Sequence, residues 1–329
     1  MGSIRGARAA LIAAFVVVCA GLAISPGAGC RSPVAPGATP VLIDARDATA
    51  PAHTESVSLV AGGVTRHLLV HLPSGSANTP RALVLNLHGS GGNAAQQEAS
   101  IGMDPIAEAN QFIVAYPDAA ITLGSGFAWN VPGQPLLGGG AVPADAADDV
   151  AFFAQAITFL EQRYTIDAHR IFVTGMSGGA RMTSQLGCDL AGTVAAIAPV
   201  AGLRFPTPCA GTRAVAVVAF HGTADTVNPY DGNGEAYWTY SVPSAQQQWG
   251  AHDGCGATPT SSPAADNVTL TTYGDCAAGA AVALYTIAGA GHEWPGAPGQ
   301  TPAIDASTTM WSFFRSHPGG FGDPSGGPH

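Results

Sequence analysis

Apolar residues fall into two rhythms that alternate along most of this chain. Short continuous or alternating runs predict strands at residues 55–59, 66–72, 82–87, 112–116, 170–174, 194–200, 214–220 and 282–287. The first two read as an antiparallel pair, the first alternating through Val57 and Leu59. Residues 82–87 are almost uniformly apolar, as a strand covered on both faces should be. Between the strands, apolar residues recur at helical spacing. The clearest case is 148–164, through Val150, Phe153, Ile157 and Leu160, with Asp148 and Asp149 at the positive N-terminal end. Further helices are expected at 178–186, 242–252 and 308–316. Strand and helix in alternation predict a doubly wound, mostly parallel sheet with helices on both faces. The patterned stretch, 54–317, is long enough for one α/β core.

The ends lack that pattern. Residues 1–29 resemble an export signal: Arg5 and Arg8, an apolar run from Ala9 to Ile24, then small residues and Pro26. The run is too short for a membrane span. Ala28-Gly29-Cys30 suggests cleavage with lipidation of Cys30, although Gly27 stands where an aliphatic residue is usual; ordinary signal cleavage is the alternative. Either outcome puts the mature chain in the cell envelope or outside the cell. Residues 30–53, rich in Pro and Ala, read as a flexible linker, and 318–329 as a disordered Gly/Pro tail.

Export changes how the cysteines read. With Cys19 and Cys30 set aside, Cys188, Cys209, Cys255 and Cys276 remain, an even number suited to two disulfides in an oxidising compartment. Three pairings exist; Cys188–Cys209 and Cys255–Cys276 are favoured because each brackets one compact stretch. All twelve cationic side chains are arginine, against 22 acids. A surface this acidic lacks the basic footprint of a nucleic-acid binder.

Candidate chemistry sits at the ends of the expected strands. Gly175-Met176-Ser177-Gly178-Gly179 is a G-x-S-x-G, a weak signal in a chain with 43 glycines. Its setting strengthens it: a strand enters, a helix leaves, and small residues permit a sharp turn. Asp225 in His221-Gly222-Thr223-Ala224-Asp225 and His292 in Gly291-His292-Glu293-Trp294-Pro295-Gly296 follow. Nucleophile, acid, histidine is the chain order of an α/β-hydrolase. Serine needs a base to take its proton; His292 can serve, with Asp225 fixing its tautomer. Oxyanion donors are expected from the N–H of Gly178 and of Ser90 (Gly91 as alternative) in His88-Gly89-Ser90-Gly91-Gly92-Asn93, which follows an early central strand. That loop lacks the Lys-Ser/Thr of a phosphate loop and the full G-x-G-x-x-G of a dinucleotide site. His88 and His221 begin His-Gly turns and read as backbone-shaping residues.

Together with Phe127-Ala128-Trp129-Asn130 and Asp148-Asp149-Val150-Ala151-Phe152-Phe153, these motifs resemble the polyhydroxybutyrate-depolymerase-type esterases, whose relatives include feruloyl and acetyl-xylan esterases. The resemblance spans about residues 56–314. It implies a serine carboxylesterase, secreted or lipid-anchored, with the triad Ser177, Asp225 and His292, the two favoured disulfides and no metal or organic cofactor. Hydroxyalkanoate or polyester-type esters are the expected substrates, with plant-wall feruloyl or acetyl esters as the alternative. A serine peptidase of the same fold and a non-catalytic binding protein are the further readings. Trp129 and Trp294 are candidate pocket walls. Many members carry Asn, Ser or Ala where this chain has Gly178.

Overall fold

A computed structural model describes residues 50–319. The export signal, Cys30, most of the linker and residues 320–329 lie outside the described residues. Chain order begins β1 (His53–Ala61), β2 (Val64–Leu72), β3 (Arg81–Leu87), α1 (Ala94–Ile101), α2 (Met103–Asn110), β4 (Ile113–Pro117), β5 (Ile121–Leu123), β6 (Gly126–Ala128) and α3 (Asp149–Arg163). It continues with β7 (Ile166–Met176), α4 (Gly178–Asp189), β8 (Ala196–Val200), β9 (Ala216–Gly222), α5 (Val242–His252), β10 (Thr260–Ala265), β11 (Val268–Tyr273), β12 (Val282–Ile287) and α6 (Ala306–Ser316).

Ten strands form one sheet in the order β1-β2-β4-β3-β7-β8-β9-β12-β11-β10. The centre, from β4 to β12, is parallel, and antiparallel strands extend it on both sides. Every residue of β3, β4, β8 and β9 is buried, which explains their uninterrupted apolar runs. Side chains of the central strands divide between two cores with the period of two. Leu83, Leu85 and Leu87 pack with Phe153 of α3, Met182 of α4 and Trp249 of α5. Ala82 and Val84 point the other way, towards Met103 and Ala107 of α2 and Trp311 and Phe314 of α6. The expected layering is therefore present.

Two departures concern the ends of the domain. Ala50 already forms an isolated antiparallel bridge with Gly75, so the last residues of the expected linker are held against the domain before His53. At the other end Gly319 donates its N–H to His169 O and accepts from His169 Nδ1, so the first residues of the expected tail are anchored.

Cys188 at the end of α4 is joined to Cys209, and Cys255 after α5 to Cys276. These are the two pairings favoured from the sequence.

Candidate active site

The register of the parallel strands gathers the candidate residues on one edge. Met176 of β7 pairs Val200 of β8, Val200 pairs Phe220 of β9, and Gly222 pairs Ile287 of β12. Ser177, Asp225 and His292 follow β7, β9 and β12, so all three leave the sheet at its C-terminal edge, where open α/β sheets hold their sites.

Ser177 stands at the junction of β7 and α4 with φ 56° and ψ −115°. A non-glycine residue in that region is strained, at a cost of order 1–3 kcal/mol, and strain of this kind gathers at functional sites. The surroundings hold it there. Its N–H donates to Val200 O at 2.9 Å. A Cβ on Gly175 would lie 2.8 Å from Leu87 Cβ and from the backbone of Gly179, and a Cβ on Gly179 would strike the carbonyl of Leu87. Only glycine lets β3, β7 and α4 meet this closely. The turn leaves Ser177 partly exposed at the sheet edge.

His292 Nδ1–H donates to Asp225 Oδ2 at 2.8 Å; the Asp225 side chain is fully buried while His292 keeps 18% exposure. Oδ1 of Asp225 accepts from the N–H groups of Val227 and Asn228, both at 2.8 Å. Burial alone would raise the pKa of this carboxyl. Hydrogen bonds from His221 and His292, with the His292 charge, outweigh burial and hold it well below the usual carboxylate range. The anion is thus stabilised where it can fix the His292 tautomer and support an imidazolium. Among the described residues Ser177 Oγ is not hydrogen-bonded to His292, a contact that commonly tightens only when substrate binds.

His221 does more than the sequence suggested. Its Nε2–H donates to Asn228 O at 2.8 Å and lies 3.3 Å from Asp225 Oδ2. It therefore positions the acid loop as well as shaping its own turn. The i, i+4 spacing of His221 and Asp225 was in the sequence, but a turn does not reveal which way a ring faces.

The loop after β3 lies against the Ser177 turn. A Cβ on Gly89 would be 3.4 Å from Ser177 Cβ. Ser90 N lies 3.1 Å from where a Gly178 Cβ would stand, and Ser90 Oγ occupies that space. The Gly91 N–H is spent on Phe127 O at 2.8 Å, which removes it as an oxyanion donor. Ser90 N–H has no partner among the described residues, and the N–H of Gly178, first in α4, has no partner within its helix. Two N–H donors are therefore available beside Ser177. His88 fixes the loop by donating from Nδ1 to Gly89 O and accepting the Ala119 N–H at Nε2. Burial lowers its pKa, which keeps it neutral for that second contact.

Both tryptophans need correcting. Trp129 and Trp294 are each 3% exposed, too enclosed to wall a substrate pocket. Trp129 Nε1 donates to His88 O at 2.8 Å, and its ring packs on His88 and Phe153. It buttresses the Ser90 loop. Trp294 Nε1 donates to Ser307 Oγ, which donates on to Ile101 O, tying the His292 loop to α6 and to the end of α1. Asp149 also has a role that the sequence hid. It forms a buried 2.7 Å ion pair with Arg66 and accepts the Asn130 N–H, so it anchors the segment that carries Trp129.

No group of three or more His, Cys, Asp or Glu residues is placed to hold a metal ion among the described residues.

Comparison with known proteins gives the family and the fold. The chain is 30% identical to feruloyl esterase B of Piromyces equi over 239 residues, 69% of this chain and 42% of that protein. It is 26% identical to poly(3-hydroxyalkanoate) depolymerase C of Paucimonas lemoignei over 290 residues, covering 80% of this chain and 66% of the relative. It thus spans less than half of the first protein's length and about two thirds of the second's. The acetyl xylan esterase from Aspergillus awamori superposes with a TM-score of 0.55 at 19% identity, over 79% of this chain and 99% of that one, which shows a shared α/β-hydrolase fold. The family model described as Esterase PHB depolymerase matches residues 67–269, more than half of the chain. This chain belongs to that family of esterases.

Proposed function

We propose that this esterase is an exported serine carboxylesterase working through an acyl-serine intermediate. The observation that carries the reading is the strained Ser177 turn sharing a sheet edge with the His292–Asp225 pair. Ser177 Oγ attacks the ester carbonyl carbon as its proton passes to His292 Nε2. The N–H groups of Gly178 and Ser90 hold the resulting oxyanion. Collapse breaks the bond to the alcohol oxygen, which takes the proton from His292 and leaves. Water, deprotonated by His292, then attacks the acyl-serine; the carboxylic acid departs and the proton returns to Ser177. Two disulfides support an oxidising, extracytoplasmic setting.

The substrates assigned are short hydroxyalkanoate or polyester-type esters, with feruloyl and acetyl-xylan esters as the second reading. Relatives named for each of these activities support both. We assign the substrate chain to a cleft of about 590 Å³ beside the acid loop, lined by Thr226, Val227, Pro229, Asn233, Glu235 and Tyr237. The test is acid release from soluble 3-hydroxybutyrate oligomers and from methyl ferulate, with Ser177→Ala as control. Faster Ser177-dependent release from the oligomers is expected. Faster release from ferulate would select the second reading, and no Ser177-dependent release from either would sink both.

A further inference from the structure

Behind that cleft lies a cluster the ester chemistry does not use. Arg181 and Arg204 are 3% and 4% exposed. Arg181, Ser184 and Gln185 share one face of α4. Arg204 joins them there: its N–H donates to Ser184 Oγ at 3.3 Å and its Nη1 to Gln185 Oε1 at 2.8 Å. The Arg181 guanidinium lies 4.7 Å from the centre of the Tyr237 ring. Tyr240 follows three residues on, packed against Trp238.

The polar atoms of this cluster are conspicuously unspent. Arg181 Nε and Nη1, Arg204 Nε and the Tyr240 hydroxyl are all buried without a hydrogen-bond partner among the described residues. Nor does the charge balance. The carboxylate attracting Arg204 is Asp189, which forms no ion pair with either arginine among the described residues and instead accepts from Gln185 Nε2 at 2.7 Å. Tyr237 and Tyr240, the other titratable groups facing Arg181, are pushed up by burial and stay neutral. Among the described residues, two guanidinium charges face one carboxylate, which leaves one positive charge in excess. An uncompensated buried charge is far costlier than an unpaired hydroxyl. A water molecule would satisfy the donors but not the charge.

We infer that Arg181, Arg204 and the Tyr240 hydroxyl form an internal binding site for one small monovalent anion, halide or carboxylate in size. The donors suit it: guanidinium N–H groups and a phenol O–H offer no acceptor against an anion. The ion would clamp the segment bearing Tyr237 and Tyr240 onto α4, behind the cleft.

The test uses the full chain and needs no ester assay. Thermal midpoints are measured at constant ionic strength as sodium gluconate, too bulky for the site, is replaced by chloride or, separately, by acetate. A rise of roughly 3–5 °C per tenfold concentration above the dissociation constant is expected for the anion that binds. Chloride and acetate dependence distinguish the two sources. Tyr240→Phe, which removes one oxygen, should weaken the dependence about tenfold, and Arg204→Met should abolish it. A crystal soaked in bromide should show anomalous density within hydrogen-bond reach of both guanidinium groups if the halide is the ligand. Midpoints equal in gluconate, chloride and acetate would overturn the site. So would a dependence that both variants leave intact.

Discussion

At the scale of single residues, the contact between Gly178 and Ser90 links sequence to rate. A methyl group on Gly178 would collide with Ser90 Oγ and stand 3.1 Å from Ser90 N. Gly178→Ala should therefore turn the Ser90 N–H away from the oxyanion and lower kcat about 10–100-fold with little change in KM. Ser90→Ala keeps the N–H and should stay near wild type. Adding it to Gly178→Ala removes the collision and should restore much of the rate. Steady-state kinetics on a nitrophenyl ester would check this; a fully active Gly178→Ala would rule out Ser90 as a donor. Asp225 gives a second prediction. Its folded pKa is depressed, so folding gains stability from it above the ordinary carboxylate pKa near 4, and loses that gain as pH falls towards the folded pKa. The wild-type thermal midpoint should then drop more between pH 5 and pH 3 than that of Asp225→Asn. The same variant should lose about 10⁴-fold in kcat if the proposed mechanism holds.

At the scale of elements, what the sequence revealed follows burial. β3 and β4 are covered on both faces and read as unbroken apolar runs, and α3 shows its buried stripe at Phe153, Ile157 and Leu160. α1 escaped because its buried face is Ala94, Gln97 and Ile101, with Gln97 satisfied by Asn86 rather than by apolar packing. β10 is exposed throughout and carries Pro263, so nothing in it alternates. The first half of β7 is partly exposed for the same reason, and only 170–174 stood out. The site divides similarly. Ser177, Asp225 and His292 sit in local motifs, whereas Trp129, His221 and the Arg66–Asp149 pair act through segments distant in sequence or through ring orientation. Trp129 shows the consequence. Trp129→Phe keeps an aromatic ring but deletes the donor to His88 O. It should cost about 1 kcal/mol of stability, and more if the buried carbonyl stays unsatisfied. By loosening the Ser90 loop it should also lower kcat several-fold. Chemical denaturation and kinetics on one preparation would check both; a stability loss with unchanged kcat would show that the loop holds itself.

At the scale of the molecule, the Cys188–Cys209 disulfide and the proposed chemistry occupy opposite ends of α4. Ser177 precedes the helix and Cys188 lies eleven residues further on, about 16 Å along its axis. Each bridge closes a segment with a sequence separation of 21. On the chain-entropy account such a crosslink contributes roughly 3 kcal/mol by restricting the unfolded chain. Two of them are comparable with the whole net stability of a typical domain, about 5–15 kcal/mol. Reduction should therefore shift the denaturant midpoint strongly while leaving the folded site intact. A Cys188→Ser, Cys209→Ser double variant isolates one bridge. Its unfolding midpoint should fall, and its kcat, assayed well below that midpoint, should match the wild type. The alternative is that Cys209, whose Sγ lies 3.5 Å from His252 Nε2, organises α5 and through it the acid loop. In that case kcat would fall before unfolding begins, and the bridge would belong to the working site as well as to the stability of the fold.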